Sequence, residues 1–298
     1  MGKSKVTAGE YMNDWIERRK APKLAPATLT SYRNNFRLHI QPAIGKITLK
    51  DLTSSQLQRM LKKAGGSYSK FVKIYNVVHG ALEQAVKEGL LMKNPCIGVS
   101  FPKDDREKMR VLSMEEERAF IKALEGAYYR PLFLTFLLTG MRLGEALPLT
   151  WADIDIEERH IVVKKKAIVY HDYASHSTEL VVEDFCKTKS STRSVVITKG
   201  LATLLTEHKR QQVEQMEKLG QVWNEQCLVF PNTKGKMPYN RIVQISFNRL
   251  AAKAGIEGAT VHTLRHTYAT RCFESDMDYK TISAQLGHAS VKTTIDTY

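Results

Sequence analysis

With 298 residues, the chain is long enough for two domains with proper cores, and its 43% apolar and 26% charged residues match an ordinary globular protein. A formal charge of +14 exceeds what solubility requires and points to a polyanionic partner. Nucleic acid leads over an anionic membrane, because no single helix sets its Lys and Arg opposite a Trp/Leu face. The longest apolar run, PLFLTFLLTG at 131–140, is too short to span a bilayer, and no signal segment opens the chain. Cys96, Cys186, Cys227 and Cys272 form no C-x-x-C pair, which argues against a disulfide framework or zinc knuckle and for a reduced, cytoplasmic protein.

In chain order, residues 7–98 read as four helices without a strand signal. EYMNDWIERRK sets Tyr11, Trp15 and Ile16 on one side. PATLTSYRNNFRLHI opens on Pro26 and repeats Leu29, Tyr32, Phe36 and Ile40 at helical spacing. TSSQLQRMLKKAGG carries a capping box, Thr53 with Gln56, and stops at Gly65-Gly66. The fourth helix places Val72, Tyr75, Val78, Leu82 and Val86 along one stripe before Gly89. The stretch 92–110 breaks this pattern with two prolines, a glycine and seven charges in its last eight residues, and reads as a linker. The charge divides unevenly: residues 1–105 carry +10 and residues 106–298 carry +4. Two domains are therefore expected, 1–105 and 106–298.

The second domain opens on a capping box, Ser113 with Glu116, followed by the apolar helix 131–140. From about 154 to 198 the period changes, and HIVVKKKAIVYH, TELVVEDF and RSVVI predict one antiparallel sheet. Helices are expected again over 199–219, 239–254, 260–274, 279–286 and 290–298. The fold class is mainly α with a small antiparallel β-sheet.

Four stretches hold polar residues that a core does not need. In TGMRLGEALPLTW, Arg142 follows an apolar helix and a glycine, and Glu145 either pairs with it or orients its guanidinium for another ligand. In HTLRHTYAT, His262 and Arg265 stand three residues apart, so a helix puts them on one face. His262 and His266 also make H-x-x-x-H, but the spacers Thr, Leu and Arg include a cation, which argues for an anion site rather than zinc. His266 reads as structural. CKTKSSTRSVVI is a basic turn between strands with Lys187, Lys189 and Arg193, either a solvated turn or a phosphate contact. In the closing LGHASVKTTIDTY, Gly287 ends one helix, His288 lies in the turn, and Ser290 can cap a short helix bearing Tyr298. Asp153 and Asp155, the nearest approach to a metal-binding carboxylate pair, read as turn residues.

Together these residues suit phosphoryl transfer to a tyrosine. Two guanidinium forks can hold the non-bridging oxygens of a phosphodiester and stabilise the more anionic transition state. A lysine can protonate the departing 5′-oxygen, and an imidazole can take the proton of a phenol whose ordinary pKa is about 10. No metal or other cofactor is expected.

The ordered set T-G-x-R-x-x-E, a basic hairpin, H-x-L-R-H, L-G-H and a closing Tyr resembles the tyrosine recombinase (phage integrase) family over residues 7–298. The resemblance implies a DNA clamp of two domains, an all-α core-binding domain and an α+β catalytic domain. It implies that Arg142 and Arg265 are the catalytic arginines, with Lys187 as general acid and Lys189 as the alternative in the same stretch. It further implies His262 as general base, His288 as a second phosphate contact, Tyr298 as nucleophile and Glu145 as the acid that positions the first arginine. The expected partners are attachment or transposon-end core sites in double-stranded DNA. A homotetramer in the synaptic complex and accessory DNA-bending or directionality proteins complete the set. The setting is bacterial and nucleoid-associated, without a membrane. The opening and the hairpin look most like integrases of phages and conjugative transposons. Residues 167–182 suggest a longer hairpin than the minimal family fold. Such integrases generally carry an arm-binding domain before this point and a tail beyond the nucleophile. The chain is therefore expected to be trimmed at both ends, with its last helix ordered mainly by DNA or a neighbouring protomer.

Overall fold

The computed structural model describes residues 6–104, 109–172, 177–184, 192–288 and 290–297. The chain divides into two units, 1–108 with 170–179, and 109–169 with 180–298.

In the first unit, α1 (Ala8–Asp14) is capped by the reciprocal Thr7 and Glu10 bonds and continues as a π-helical turn over Trp15–Lys20. Helix α2 (Pro26–Asn35) starts on Pro26, whose missing N–H falls where a helix has no use for it. It runs through a second π-helical stretch, Phe36–Ile40, into α3 (Gln41–Ile44). Helix α4 (Ser54–Ala64) carries the Thr53–Gln56 capping box, and α5 (Tyr68–Lys87) is the longest helix of the unit. The buried stripe of α5 is Phe71, Ile74, Val77, Val78, Ala81, Leu82 and Ala85. Val72, Tyr75 and Val86, expected on that stripe, are only half-buried: the core-facing line runs one position away, through residues that include two alanines. These helices enclose Trp15, Ile16, Leu57, Ile74 and Leu82, and the Trp15 ring stacks on Tyr32 at 6.1 Å.

In the second unit, α6 (Met114–Ala123) is capped by the Ser113–Glu116 box. The apolar α7 (Arg130–Thr139) is buried on nearly all sides and packs on α11 (Val261–Glu274). Phe120, Phe133, Phe136, Trp151, Phe247 and Leu264 form the centre of the core. After the short α8 (Leu143–Ala146) come β1 (Ile154–Asp155), β2 (His160–Val163), β3 (Lys165–Asp172), β4 (Ser177–Asp184) and β5 (Arg193–Val196), with the end of β3 from 170 and the start of β4 to 179 counted in the first unit. Helices α9 (Lys199–Lys218), α10 (Asn240–Lys253), α12 (Tyr279–Leu286) and α13 (Val291–Thr297) complete the order.

The single expected sheet is in fact two. Strands β1, β2 and β5 form one antiparallel sheet with β2 in the middle, and β3 and β4 form a second, two-stranded one. The run HIVVKKKAIVYH breaks at Lys164, whose ammonium is drawn 2.5 Å from the buried Asp153 carboxylate. Asp153 also accepts bonds from the Thr150 N–H and hydroxyl, which bears out its reading as a turn residue. No described helix is long and apolar enough to cross a membrane.

Candidate active site

The site begins where α7 stops. Gly140 takes a left-handed conformation, φ +64°, and a β-carbon there would lie 2.5 Å from Tyr268 and 2.6 Å from Leu286. Only glycine lets the chain turn in that space. The turn delivers Arg142 to the position just before α8. Glu145, one turn on, reaches back to the Arg142 N–H at 3.0 Å and to its Nη1 at 2.8 Å. The T-G-x-R-x-x-E spacing therefore builds a pair on the first turn of a helix, with the carboxylate buried and two-fifths of the arginine side chain exposed.

A third residue closes on the same carboxylate. Arg193, from β5, grips Glu145 with both nitrogens of its fork, Nη2–Oε2 at 2.7 Å and Nη1–Oε1 at 3.2 Å. Burial alone would raise the Glu145 carboxyl, but the bonds and charge of Arg193, with those of Arg142, hold it below the usual carboxylate value. The basic stretch suggests that Arg193 faces solvent or a phosphate, but only 13% of its side chain is exposed. The signal was available in strand alternation, since Arg193 shares a face with Val195, which is fully buried.

All three guanidiniums converge on the C-terminal turn of α12. The last carbonyls of a helix lack internal partners and sit at the negative end of its dipole. Arg193 Nε donates to Gln285 O at 3.0 Å, and Arg142 donates to Leu286 O and Gly287 O, each at 3.2 Å. Arg265 donates to Leu286 O at 2.8 Å and to Gly140 O at 2.6 Å. Gly287, at φ +66°, ends the helix in the left-handed conformation, and its bare Cα makes room for Arg193, whose guanidinium lies 2.6–2.8 Å from where a β-carbon would stand.

Arg265 is 2% exposed, on the buried face of α11. Its Nη2 also lies 2.9 Å from His288 Nε2, and His288 Nδ1 lies 2.7 Å from the hydroxyl of Thr294, a fully buried residue of α13. Burial, then the charges of Arg265, Arg142 and Arg193, bring His288 down to about 4, so the ring is neutral at pH 7. His262 is exposed at the start of α11, with its ring edge-on to His266 at 4.5 Å between centroids. Although the residue as a whole is open to solvent, the protein packed around its ring, and then the charges of Arg265 and Arg142, lower it too. His266 is buried and brought down to about 4, chiefly by burial and then by His262.

Of the sequence-predicted site residues, Arg142, Glu145, Arg265 and His288 are tied together by hydrogen bonds, and His262 stands beside them on the helix of Arg265. Lys187, Lys189 and Tyr298 lie outside the described residues. Among the described residues no group of three His, Cys, Asp or Glu side chains is placed to hold a metal ion. Three arginines against one carboxylate leave a concentrated positive field, suited to an anion. Sequence reasoning missed both Arg193 and Thr294.

The family model described as Phage integrase family matches residues 110–298, and a second, Phage integrase N-terminal SAM-like domain, matches residues 7–64. The chain belongs to the phage integrase family. This integrase-family chain is 32% identical to a tyrosine recombinase XerC-like protein of Caldanaerobacter subterraneus, over 98% of its own length and 79% of the relative's. It is 30% identical to the ICEBs1 integrase of Bacillus subtilis, over 86% of its own length and 67% of that protein's. In fold it is similar to the Tn1549 transposon integrase in complex with a circular intermediate DNA. There the TM-score is 0.82 at 20% identity, over 98% of this chain and 95% of that one. The lambda integrase tetramer bound to a Holliday junction matches with a TM-score of 0.70 at 18% identity, over 98% of this chain and 78% of that one. The integrase-family chain is thus a tyrosine-type site-specific recombinase of the kind that mobile elements carry.

Proposed function

We propose that this recombinase cleaves and rejoins double-stranded DNA through Tyr298. The phenolic oxygen attacks the scissile phosphorus, the bond to the 5′-oxygen breaks, and a 3′-phosphotyrosyl ester forms beside a free 5′-hydroxyl. The ester keeps the energy of the broken phosphodiester, so a second 5′-hydroxyl can reverse the step without ATP. Arg142 and Arg265 hold the non-bridging oxygens and stabilise the transition state, the work a metal ion does in other phosphoryl-transfer sites. His262 takes the phenolic proton; lowered below its ordinary value, it is a free base at neutral pH. Lys187 supplies a proton to the leaving oxygen, with Lys189 as the alternative donor. Glu145 positions Arg142, and His288 adds a phosphate contact.

The observation that carries this reading is the meeting of three arginines, Glu145 and His288 on the C-terminal turn of α12, immediately before the helix that leads to Tyr298. A DNA-binding module needs positive charge but not guanidiniums fixed around a histidine one short helix from a phenol. We assign residues 106–298 to catalysis and 1–105, with their larger positive excess, to gripping the core site as the other half of a clamp. The DNA substrates are the attachment or transposon-end core sites of a mobile element, brought together by a homotetramer with accessory bending or directionality proteins, at the bacterial nucleoid. The test is a nicked core-site duplex that releases the 5′ fragment and traps the ester. A covalent protein–DNA adduct should form in EDTA, and a requirement for added divalent metal would overturn the assignment of the arginines.

A further inference from the structure

Resting on that reading, we propose that Thr294 is a positioning residue: its hydroxyl lets His288 exchange the Arg265 guanidinium for the DNA phosphate by changing tautomer. A guanidinium only donates, so His288 Nε2, 2.9 Å from Arg265 Nη2, must present its lone pair. The ring proton then sits on Nδ1 and is donated to Thr294 Oγ1 at 2.7 Å. In this state the imidazole has nothing to offer an anion, because its only N–H faces the helix of Thr294.

A phosphodiester oxygen only accepts. Once it takes the guanidinium of Arg265, His288 can bond the same phosphate only by carrying its proton on Nε2. While the ring stays neutral, Nδ1 then becomes an acceptor and needs a donor. A carbonyl or carboxylate in that place could never donate and would lock the first tautomer. A hydroxyl serves both states by turning about its Cβ–Oγ bond. The change moves one proton off Nδ1 and one onto Nε2 through water at the half-buried ring, so charge and proton count are conserved. Thr294 is fully buried, so the bond is shielded from competing solvent. It also belongs to α13, four residues before Tyr298 in the sequence, so one imidazole joins the nucleophile's helix to the phosphate-binding arginine.

The test uses a duplex spanning the junction between the element's end and its flanking DNA. In Tyr298→Phe protein labelled with ¹⁵N-histidine, His288 should show the Nδ1–H tautomer alone and the Nε2–H tautomer with the duplex. The same tautomer in both states, or a doubly protonated ring with the duplex, overturns the proposal, and this readout needs no change at Thr294. Thr294→Val, isosteric but without the hydroxyl, should slow adduct formation roughly tenfold to a hundredfold, as expected when a buried ring nitrogen loses its partner. Duplex affinity should hold, and Thr294→Ser should restore most of the rate. A folded Thr294→Val protein that cleaves at the wild-type rate overturns the proposal while leaving the nucleophile assignment intact. An adduct that persists in Tyr298→Phe defeats the nucleophile assignment instead.

Discussion

Arg265 shows what a single side chain can organise here. A guanidinium almost sealed from solvent needs several acceptors, and it finds Gly140 O after α7 and, in the turn that ends α12, Leu286 O and His288 Nε2. Arg265→Ala and Arg142→Ala should each lower the rate of adduct formation by at least the roughly 10²–10³-fold typical of one oxyanion donor, measured by single-turnover cleavage of a nicked site. Arg193 acts at one remove. Arg193→Gln leaves Glu145 facing Arg142 alone, and should cost about 1–3 kcal/mol in denaturant unfolding, below the roughly 3–5 kcal/mol for a buried charge with no partner. The histidines give a pH signature. His288 and His266 both stand at about 4 against an ordinary 6.5, so the unfolded chain binds more protons than the folded one between those values. Their contribution to stability is complete above about 6.5 and is lost as pH falls toward 4. Tm should therefore drop between pH 7 and 5; a constant Tm there would contradict their neutral, buried state.

At the scale of elements, the decisive feature is the end of α12. Its closing glycine and its last carbonyls, without partners inside the helix, collect arginines from a loop, a strand and a helix that are far apart in sequence. Gly287→Ala adds a β-carbon against Arg193 at a positive φ. It should destabilise the chain by roughly 1–3 kcal/mol and slow cleavage, read by thermal unfolding and single-turnover assay. Much of this architecture is legible in the sequence, because local rules decide it. Capping boxes at Thr53 and Ser113 mark helix starts, Gly65 and Gly287 mark helix ends, and Arg142 with Glu145 is a contact one turn long. What local rules do not reach was misread or missed. The basic stretch before β5 drew Arg193 into a reading based on charge, although alternation with Val195 places it inward. The β-region divides into two sheets at Lys164, which pairs with Asp153 across eleven positions, a contact that no strand pattern contains. Thr294 matters only through a histidine six residues earlier, across the turn between two helices.

For the whole molecule, composition and site agree on one partner. The charge of +14 is spread over both units with the greater excess in the amino-terminal third, while the cluster at the end of α12 gathers three arginines with a single acid, which bonds two of them. DNA affinity should fall steeply with salt, with a log–log slope of about −0.9 for each phosphate neutralised, in a fluorescence anisotropy titration. A flat salt dependence would argue against a charge-led grip on the duplex. Family membership fixes the activity as tyrosine-type recombination. The most direct test is to digest the trapped protein–DNA adduct and sequence the peptide that carries the nucleotide. The account predicts a 3′-phosphate ester on Tyr298 and no adduct from Tyr298→Phe. An ester on any other residue, or an undiminished adduct from the phenylalanine variant, would contradict it.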